Sequence, residues 1–227
     1  MGAVNRRVYI RHLGLVDYQE SLRAMQDFTS RRTPDTEDEI WLLQHPPVYT
    51  LGLKKRNAQC SDLQGVPVVH SDRGGDISYH GPGQLIAYVL MDLRRRSWGV
   101  KTLVGALEQS VIDLLSMHDI GAQRRPGAPG VYVGDKKIAA LGLRVRQGGS
   151  YHGLSLNVDM DLTPYTRIDP CGYPGLSVTQ LVDLGIGADM EWLSEALIRQ
   201  LTHQLGYNSS LCLANLDHSA SRAGNYD

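Results

Sequence analysis

Apolar and polar positions alternate along this chain with two different periods. "VYIRHLGLV" (8–16) reads as a strand. "DYQESLRAMQDFTSRR" (17–32) reads as a helix, with Asp17 as N-cap and Glu20 three residues on, close to a capping box. Leu22, Met25 and Phe28 or Thr29 mark its expected inner stripe. "EIWLLQHPPVYTLG" (39–52) reads as a strand broken by Pro46-Pro47, which donate no ladder hydrogen bonds. "VPVVHSD" is a short strand, and "RGGDISYHGPG" (73–83) a long glycine-rich loop. "QLIAYVLMDL" (84–93) is almost entirely apolar, as in a strand covered on both faces. Residues 100–120 keep the helical period at Leu103, Leu107, Val111 and Leu114 or Leu115, and Gly121 is the expected stop. Residues 130–162 read as a β-meander with a Gly-Asp turn. A last helix carries Leu193, Leu197, Leu201 and Leu205, and a polar tail (216–227) is expected to fray. Strands and helices mix without regular βαβ alternation. The expected fold is α+β, with mixed or antiparallel sheets and flanking helices, in a single domain spanning 1–227.

Composition narrows the function classes. Of 227 residues 42% are hydrophobic and 21% charged, enough for an ordinary core. A net charge of −1 gives no reason to expect nucleic acid as a partner. Basic residues nevertheless run together at Lys54-Lys55-Arg56, Arg94-Arg95-Arg96 and Arg124-Arg125, as solvated loops or as a docking surface for an acidic partner. No apolar run reaches the roughly 18 residues of a membrane span. The start lacks a signal-peptide core and, with Arg6 in place of Ser or Thr, fails the myristoylation pattern. Three widely spaced cysteines fit a reduced cytoplasmic protein better than a disulfide framework.

Several chemistries lack their signatures. There is no P-loop and no G-x-S-x-G elbow. Gly81-Pro82-Gly83 leads into an apolar strand and lacks the third glycine of a dinucleotide site. No cysteine or histidine pair has structural-zinc spacing, and a composite metal site from Cys171, His80 and His152 is only a weak signal, so no metal is expected.

The cysteines differ. Cys212, among leucines, reads as packing, and Cys60 lies in a polar loop. Cys171 sits in "IDPCGYPG", where Pro170 and Gly172 impose an unusual backbone path: it is either a nucleophile or a small residue filling a turn. A nucleophilic thiolate needs a neighbour that lowers its pKa or accepts its proton. Strand parity nominates one. In "GDKKIAALGLRVR", Ala139, Leu141, Leu143 and Val145 form the apolar face, with Gly142, Arg144 and Arg146 opposite, so Lys137 falls with the apolar set. An inward lysine is costly unless it has a partner or a function, and the alternative is a lysine that snorkels to solvent.

Three segments together resemble the lipoate–protein ligase B family of lipoyl(octanoyl) transferases: "RGGDISYHGPGQLIAY", "GVYVGDKKIAALGLRV" and "HGLSLNVDMDLTPYTRIDPCGYPG". The resemblance implies a fold shared with biotin and lipoate protein ligases. It also implies octanoyl transfer from octanoyl-acyl carrier protein to a lysine of lipoyl domains, those of 2-oxoacid dehydrogenase E2 subunits and the glycine-cleavage H protein. The acyl group would arrive on the carrier's phosphopantetheine arm, without ATP or any other cofactor. Carried over residue by residue, the family's acyl-thioester cysteine falls on Cys171 and the lysine that tunes it on Lys137. Its substrate-binding segments fall on Arg73, Gly74, Gly75, Asp76, Ile77, Ser78, Tyr79 and His80, on Ala140, Leu141 and Gly142, and on Gly153, Leu154 and Ser155. Ser78 stands where family members often carry Thr, and the hydroxyl is kept. His152 and His80 are candidate second acid–base groups, Asp76 a candidate orienter of Arg73 or a histidine, and Ala139, Ala140 and Leu141 candidate walls for the acyl chain. Backbone N–H groups near Gly172 or in Gly74-Gly75 are candidate oxyanion donors. An ATP-dependent lipoate or biotin ligase of the same fold, and a non-catalytic lipoyl-domain-binding protein, are the competing readings.

Overall fold

The computed structural model describes residues 7–55, 57, 62–168, 176–187 and 189–207, and the backbone of 212–214. Cys60, Cys171 and the expected tail lie outside these residues. The chain forms β1 (Val8–Leu15), α1 (Tyr18–Ser30), β2 (Asp38–Gln44), β3 (Val48–Leu51), β4 (Asp62–Leu63), β5 (Val66–His70), β6 (Ile77–His80) and β7 (Gln84–Leu90). It continues with α2 (Val100–Ser116), β8 (Gly130–Val133), β9 (Lys136–Arg146), β10 (Gly149–Asn157), α3 (Met190–Gln204) and β11 (Cys212–Ala214). The large sheet runs β11-β1-β2-β7-β10-β9-β8 and the small one β4-β5-β3-β6. Parallel pairs flank β1 and join β3 to β5, and every other pair is antiparallel, so both sheets are mixed.

Strand alternation gives the large sheet two different faces. Leu42, Leu85, Ala87, Leu154 and Leu156 pack on one side with Leu103, Leu107 and Val111 of α2 and Leu193, Leu197 and Leu201 of α3. Trp41, Leu43, Ile86, Tyr88 and Tyr151 form the other side, with Met25 of α1. Pro46-Pro47 breaks the strand as expected, and it also moves the chain from the large sheet to the small one. The small sheet closes its own cluster of Tyr49, Leu51, Val68, Tyr79, Met160 and Tyr165.

Four expectations change. The loop "RGGDISYHGPG" contains β6, whose Ile77 and Tyr79 alternate with Ser78 and His80 and pair with Leu51 to Val48. α1 is capped by Asp17, which accepts from the N–H groups of Gln19 and Glu20, but its buried stripe is Tyr18, Ser21, Met25 and Thr29, with Leu22 and Phe28 half-buried. Ser21 tolerates burial because its hydroxyl donates back to the Asp17 carbonyl. α2 ends at Ser116 before reaching Gly121: Asp119 takes the left-handed φ of 58° and Ile120 N–H closes on the Leu115 carbonyl. The meander stops at Asn157, because the N–H groups of Val158 and Asp159 turn onto the Gly83 carbonyl. No helix of the described residues is long and apolar enough to cross a membrane.

Candidate active site

A cleft opens on the α1 side of the large sheet, beneath the small sheet, with about 740 Å³ of empty volume counting its mouth. Strand register lays its floor in rows. Gln84 pairs with Asn157; Ile86 pairs with Ser155, which pairs on its other side with Ala140; and Tyr88 pairs with Gly153, which pairs on its other side with Gly142. Rows two residues apart are about 7 Å apart. The floor is therefore a lane of small residues walled by Ile86.

Lys137 lies at the Gln84–Asn157 end and is 3% exposed. Its Nζ donates to the Pro129 carbonyl at 3.0 Å and sits 5.1 Å from the Tyr132 ring centroid. The parity expectation is corrected here. Val131 pairs with Ala139 but Tyr132 with Lys137, so Ile138 is an extra residue in a β-bulge. Ile138 joins the helix-side core with Ala139, and Lys137 swings to the opposite, cleft face. A Cβ at Gly130 would lie 2.8 Å from Lys137 Cε, so a glycine is what leaves room for the side chain. Lys137 also pairs beyond the meander: its N–H donates to the Ser177 carbonyl, and Thr179 N–H donates to its own carbonyl, both at 2.9 Å. Residues 177–179 are thus paired to the strand of Lys137.

Arg73 spans the middle of the site. Its guanidinium donates to Thr50 Oγ1 and O and to Gly74 O at 2.7–3.1 Å. Its side chain lies across Gly142, where a Cβ would come within 2.9 Å of Cδ. His80 Nδ1 bonds Gln84 Oε1 at 2.7 Å. An amide oxygen only accepts, so Nδ1 carries the proton and Nε2 is left to accept from Thr50 Oγ1 at 3.3 Å. Gln84 Nε2 donates to Asn157 Oδ1 and Tyr165 Oη, both at 2.9 Å, which fixes its orientation. Burial, reinforced by nearby His45, pushes the His80 imidazole down to about 3.

The far end of the lane is aromatic and polar. His45 donates from Nδ1 to the Val16 carbonyl at 2.6 Å and accepts from Tyr88 Oη at 2.7 Å through Nε2; burial holds it down to about 4. His152 has φ 60° in the middle of β10. That left-handed turn brings its ring onto Tyr151, 5.0 Å away, on the cleft side of the sheet. Its Nε2 donates to Asp72 Oδ1 at 2.9 Å, while Tyr151 and Gln26 donate to Asp72 Oδ2. Burial lowers the pKa of His152; Asp72 opposes this but does not reverse it. These donors hold Asp72 well below the usual carboxylate range, against its own desolvation. The pair is a neutral imidazole donating to a carboxylate.

The chain matches the family described as lipoyl protein ligase A/B catalytic domain over residues 17–202. It is 56% identical over 188 residues to an octanoyltransferase of Thiobacillus denitrificans (83% of this chain, 86% of the relative). It is 53% identical over 198 residues to an octanoyltransferase of Laribacter hongkongensis (87% and 96%). The chain belongs to the lipoyl protein ligase A/B catalytic-domain family. Within it the sequence sides with the octanoyltransferases, and the protein is an acyltransferase. Solved structures share its fold at low identity. Lipoate-protein ligase A bound with ATP superposes with TM-score 0.73 at 16% identity (90% of this chain, 87% of that one). Biotin protein ligase from Aquifex aeolicus gives 0.53 at 13% (87% and 69%). The expected ligase-like α+β fold is borne out.

For this octanoyltransferase-family chain, the cleft gathers most of the residues nominated from sequence. Lys137, Arg73, Gly75, Asp76, Ile77, Ser78, His80, Ala140, Leu141, Gly142, His152, Gly153, Leu154 and Ser155 all border it. Gly74 and Tyr79 do not: Tyr79 alternates into the small-sheet cluster, and Gly74 is a tie between segments. Gly74 N–H donates to the Leu143 carbonyl at 2.8 Å, so it is committed and is not a free oxyanion donor. Asp76 accepts from Ile77 N–H, and among the described residues it bonds neither Arg73 nor a histidine. The expected walls Ala139, Ala140 and Leu141 all line the cleft, and Ala139 and Leu141 also pack against the helix-side core. Cys171 lies outside the described residues. Among the described residues no group of three His, Cys, Asp or Glu could hold a metal ion, and His80 and His152 are bonded elsewhere. Sequence reading missed Tyr18, His45, Asp72, Gln84, Tyr88, Asn157 and Tyr165. Tyr88 carried a signal, being the one polar-tipped residue inside the apolar run "LIAYVL". Asp72 and His152 are 80 residues apart, and no local pattern links them.

Proposed function

We propose that this enzyme, working in the cytoplasm, moves an octanoyl group from the phosphopantetheine thioester of an acyl carrier protein to a lysine of a lipoyl domain, through a thioester on Cys171. The acceptors are the lipoyl domains of 2-oxoacid dehydrogenases and the glycine-cleavage H protein. The carrying observation is the lane itself: small residues run from buried Lys137 toward Tyr88, and residues 177–179, downstream of Cys171, are paired to the Lys137 strand. In the first step the Cys171 thiolate attacks the thioester carbonyl. A carbon–sulfur bond to Cys171 forms as the bond to the carrier thiol breaks, and Lys137 Nζ gives the leaving thiolate its proton. In the second step the acceptor amine attacks the Cys171 thioester. A carbon–nitrogen bond forms, the Cys171 thiolate leaves, and neutral Lys137 takes the proton shed by the amine. Thiol-for-thiol exchange is nearly even in energy and thioester-to-amide transfer runs downhill, so no ATP is required. Arg73, Ile86, Ala140 and Ser155 shape the acyl lane, and His80 and His152 fix its polar walls.

The test is intact-mass analysis after mixing the protein with octanoyl-carrier protein in the absence of ATP. One hydroxylamine-labile octanoyl group on the wild type, lost in Cys171→Ser and passed on to an added lipoyl domain, is the expected result. Modification of the lipoyl domain only when ATP and free octanoate are supplied would replace this reading with the ATP-dependent ligase. No modification of either protein would leave the binding-protein reading.

A further inference from the structure

The three runs of basic residues have different surroundings. Arg94 pairs with Asp92 at 3.2 Å, Arg95 with Asp38 at 2.8 Å, and the Arg96 guanidinium lies 4.4 Å from the Tyr207 ring centroid. Arg124 pairs with Glu108 at 3.1 Å and Arg125 with Asp135 at 2.6 Å. Both runs are therefore occupied within the molecule. Lys54 and Lys55 are exposed on a single 3-10 turn, and among the described residues neither forms an ion pair. Arg56, the third residue of that run, lies outside the described residues.

The turn is also fastened to the cleft wall. Gly52 N–H donates to the Asp76 carbonyl, Leu53 N–H to Arg73 and Lys54 N–H to Gly75, at 2.9–3.1 Å. Arg73, Gly75 and Asp76 all border the cleft. Leu53, beside the lysines, is 37% exposed. An apolar side chain next to two exposed ammonium groups, tied by three backbone hydrogen bonds to the rim of a substrate cleft, suits an acidic protein surface that must present a ligand there.

We propose that the Leu53–Lys55 turn is the docking surface for the acidic face of the acyl-donor carrier protein, an assignment that rests on the function proposed above. The two ammonium groups meet carboxylates on the carrier, and the thioester arm enters past Gly75 and Asp76. Fixed surface charges of this kind act on encounter, so their contribution weakens as salt screens it.

The experiment compares wild type with Lys54→Glu/Lys55→Glu on octanoyl-carrier protein, octanoyl-phosphopantetheine and octanoyl-pantetheine, with a lipoyl domain as acceptor and salt varied. The expected result is a loss of about tenfold or more in kcat/KM for the carrier alone, with the wild-type salt dependence flattened. Both small thioesters and the acceptor KM should be unchanged, which also shows that the variant is folded. Lys54→Arg/Lys55→Arg should behave as wild type. An equal loss on all three donors, or a shift in acceptor KM, overturns the proposal. A loss on octanoyl-phosphopantetheine as large as on the carrier also overturns it, assigning the lysines to the arm's phosphate. An unchanged kcat/KM for the carrier overturns it while leaving the transferase reading intact. If wild type takes octanoyl from none of the donors, the transferase reading itself fails and the docking assignment falls with it.

Discussion

A methyl group added at Gly142 would meet Arg73 Cδ at 2.9 Å and the Gly74 carbonyl at 3.3 Å. The guanidinium would have to leave Thr50, exposing a buried hydroxyl and carbonyl that now accept from it. Gly142→Ala is therefore expected to destabilise the fold by about 1–3 kcal/mol and to raise the KM for the octanoyl donor. Denaturant midpoints and steady-state kinetics check the two effects separately, and an unchanged KM would remove Arg73 from the acyl lane. Lys137→Ala tests the other end. Acylation of Cys171 should slow by about 10²–10⁴, the usual yield of general acid–base catalysis, and the thiol's apparent pKa should rise as a neighbouring cation is lost. Iodoacetamide reactivity against pH reads that shift; an unmoved profile would end the assignment. Lys137 also shows how far sequence reaches at this scale. Counting by twos put Lys137 on the apolar face, but one extra residue, Ile138, inverts the parity and turns the lysine toward the cleft. A bulge is set by the partner strand, which lies outside the window in which alternation is counted.

Among elements, Asp38 is the joint that local patterns did not reveal. It opens β2, and its Oδ1 accepts from Arg32 after α1, from Arg95 at 2.8 Å and from Asp92 N–H at 2.9 Å after β7. Its Oδ2 accepts from Tyr207, just beyond α3, at 2.8 Å. Removing this carboxylate strands two arginines, of which Arg32 is 5% exposed. Asp38→Ala should cost about 3–5 kcal/mol, the range for breaking a buried ion pair from one side. Urea unfolding measures it, and a loss below about 1 kcal/mol would mean the ends of these elements are held by their apolar contacts alone. The elements themselves were largely legible. Asp17 capping α1, the Pro46-Pro47 break and the all-apolar β7 each follow from side-chain chemistry acting within a few residues. What failed was decided at a distance. β6 looked like a glycine-rich loop although Ile77 and Tyr79 alternate correctly, because four residues carry little signal until β3 pairs with them. The division into two sheets was likewise invisible, since it depends on pairings between distant strands.

At the scale of the whole molecule, the cleft wall and the layer packed behind it hold neutral histidines. His45 is held down to about 4 and His80 to about 3, both by burial, and His152 is lowered by the same cause. In the unfolded chain each returns to about 6.5. Between these limits the unfolded state binds more protons than the folded one, so stability rises with pH through the window. It is fully present above about pH 6.5 and is lost as pH falls toward 4. The slope is at most about 1.4 kcal/mol per pH unit for each histidine. Asp72, held below the usual carboxylate range, adds loss in the same direction only at lower pH. The expected outcome is a urea midpoint that is flat from pH 8 to 7 and then falls steeply to pH 4.5, before carboxylate protonation accounts for much. His45→Gln with His80→Asn should make that fall shallower, whatever the two changes do to stability at pH 7. A wild-type midpoint that stays level down to pH 4.5 would mean that these imidazoles take up protons without leaving the fold. The polar walls of the lane would then be wet rather than dry, and an apolar acyl chain would gain less by lying between them.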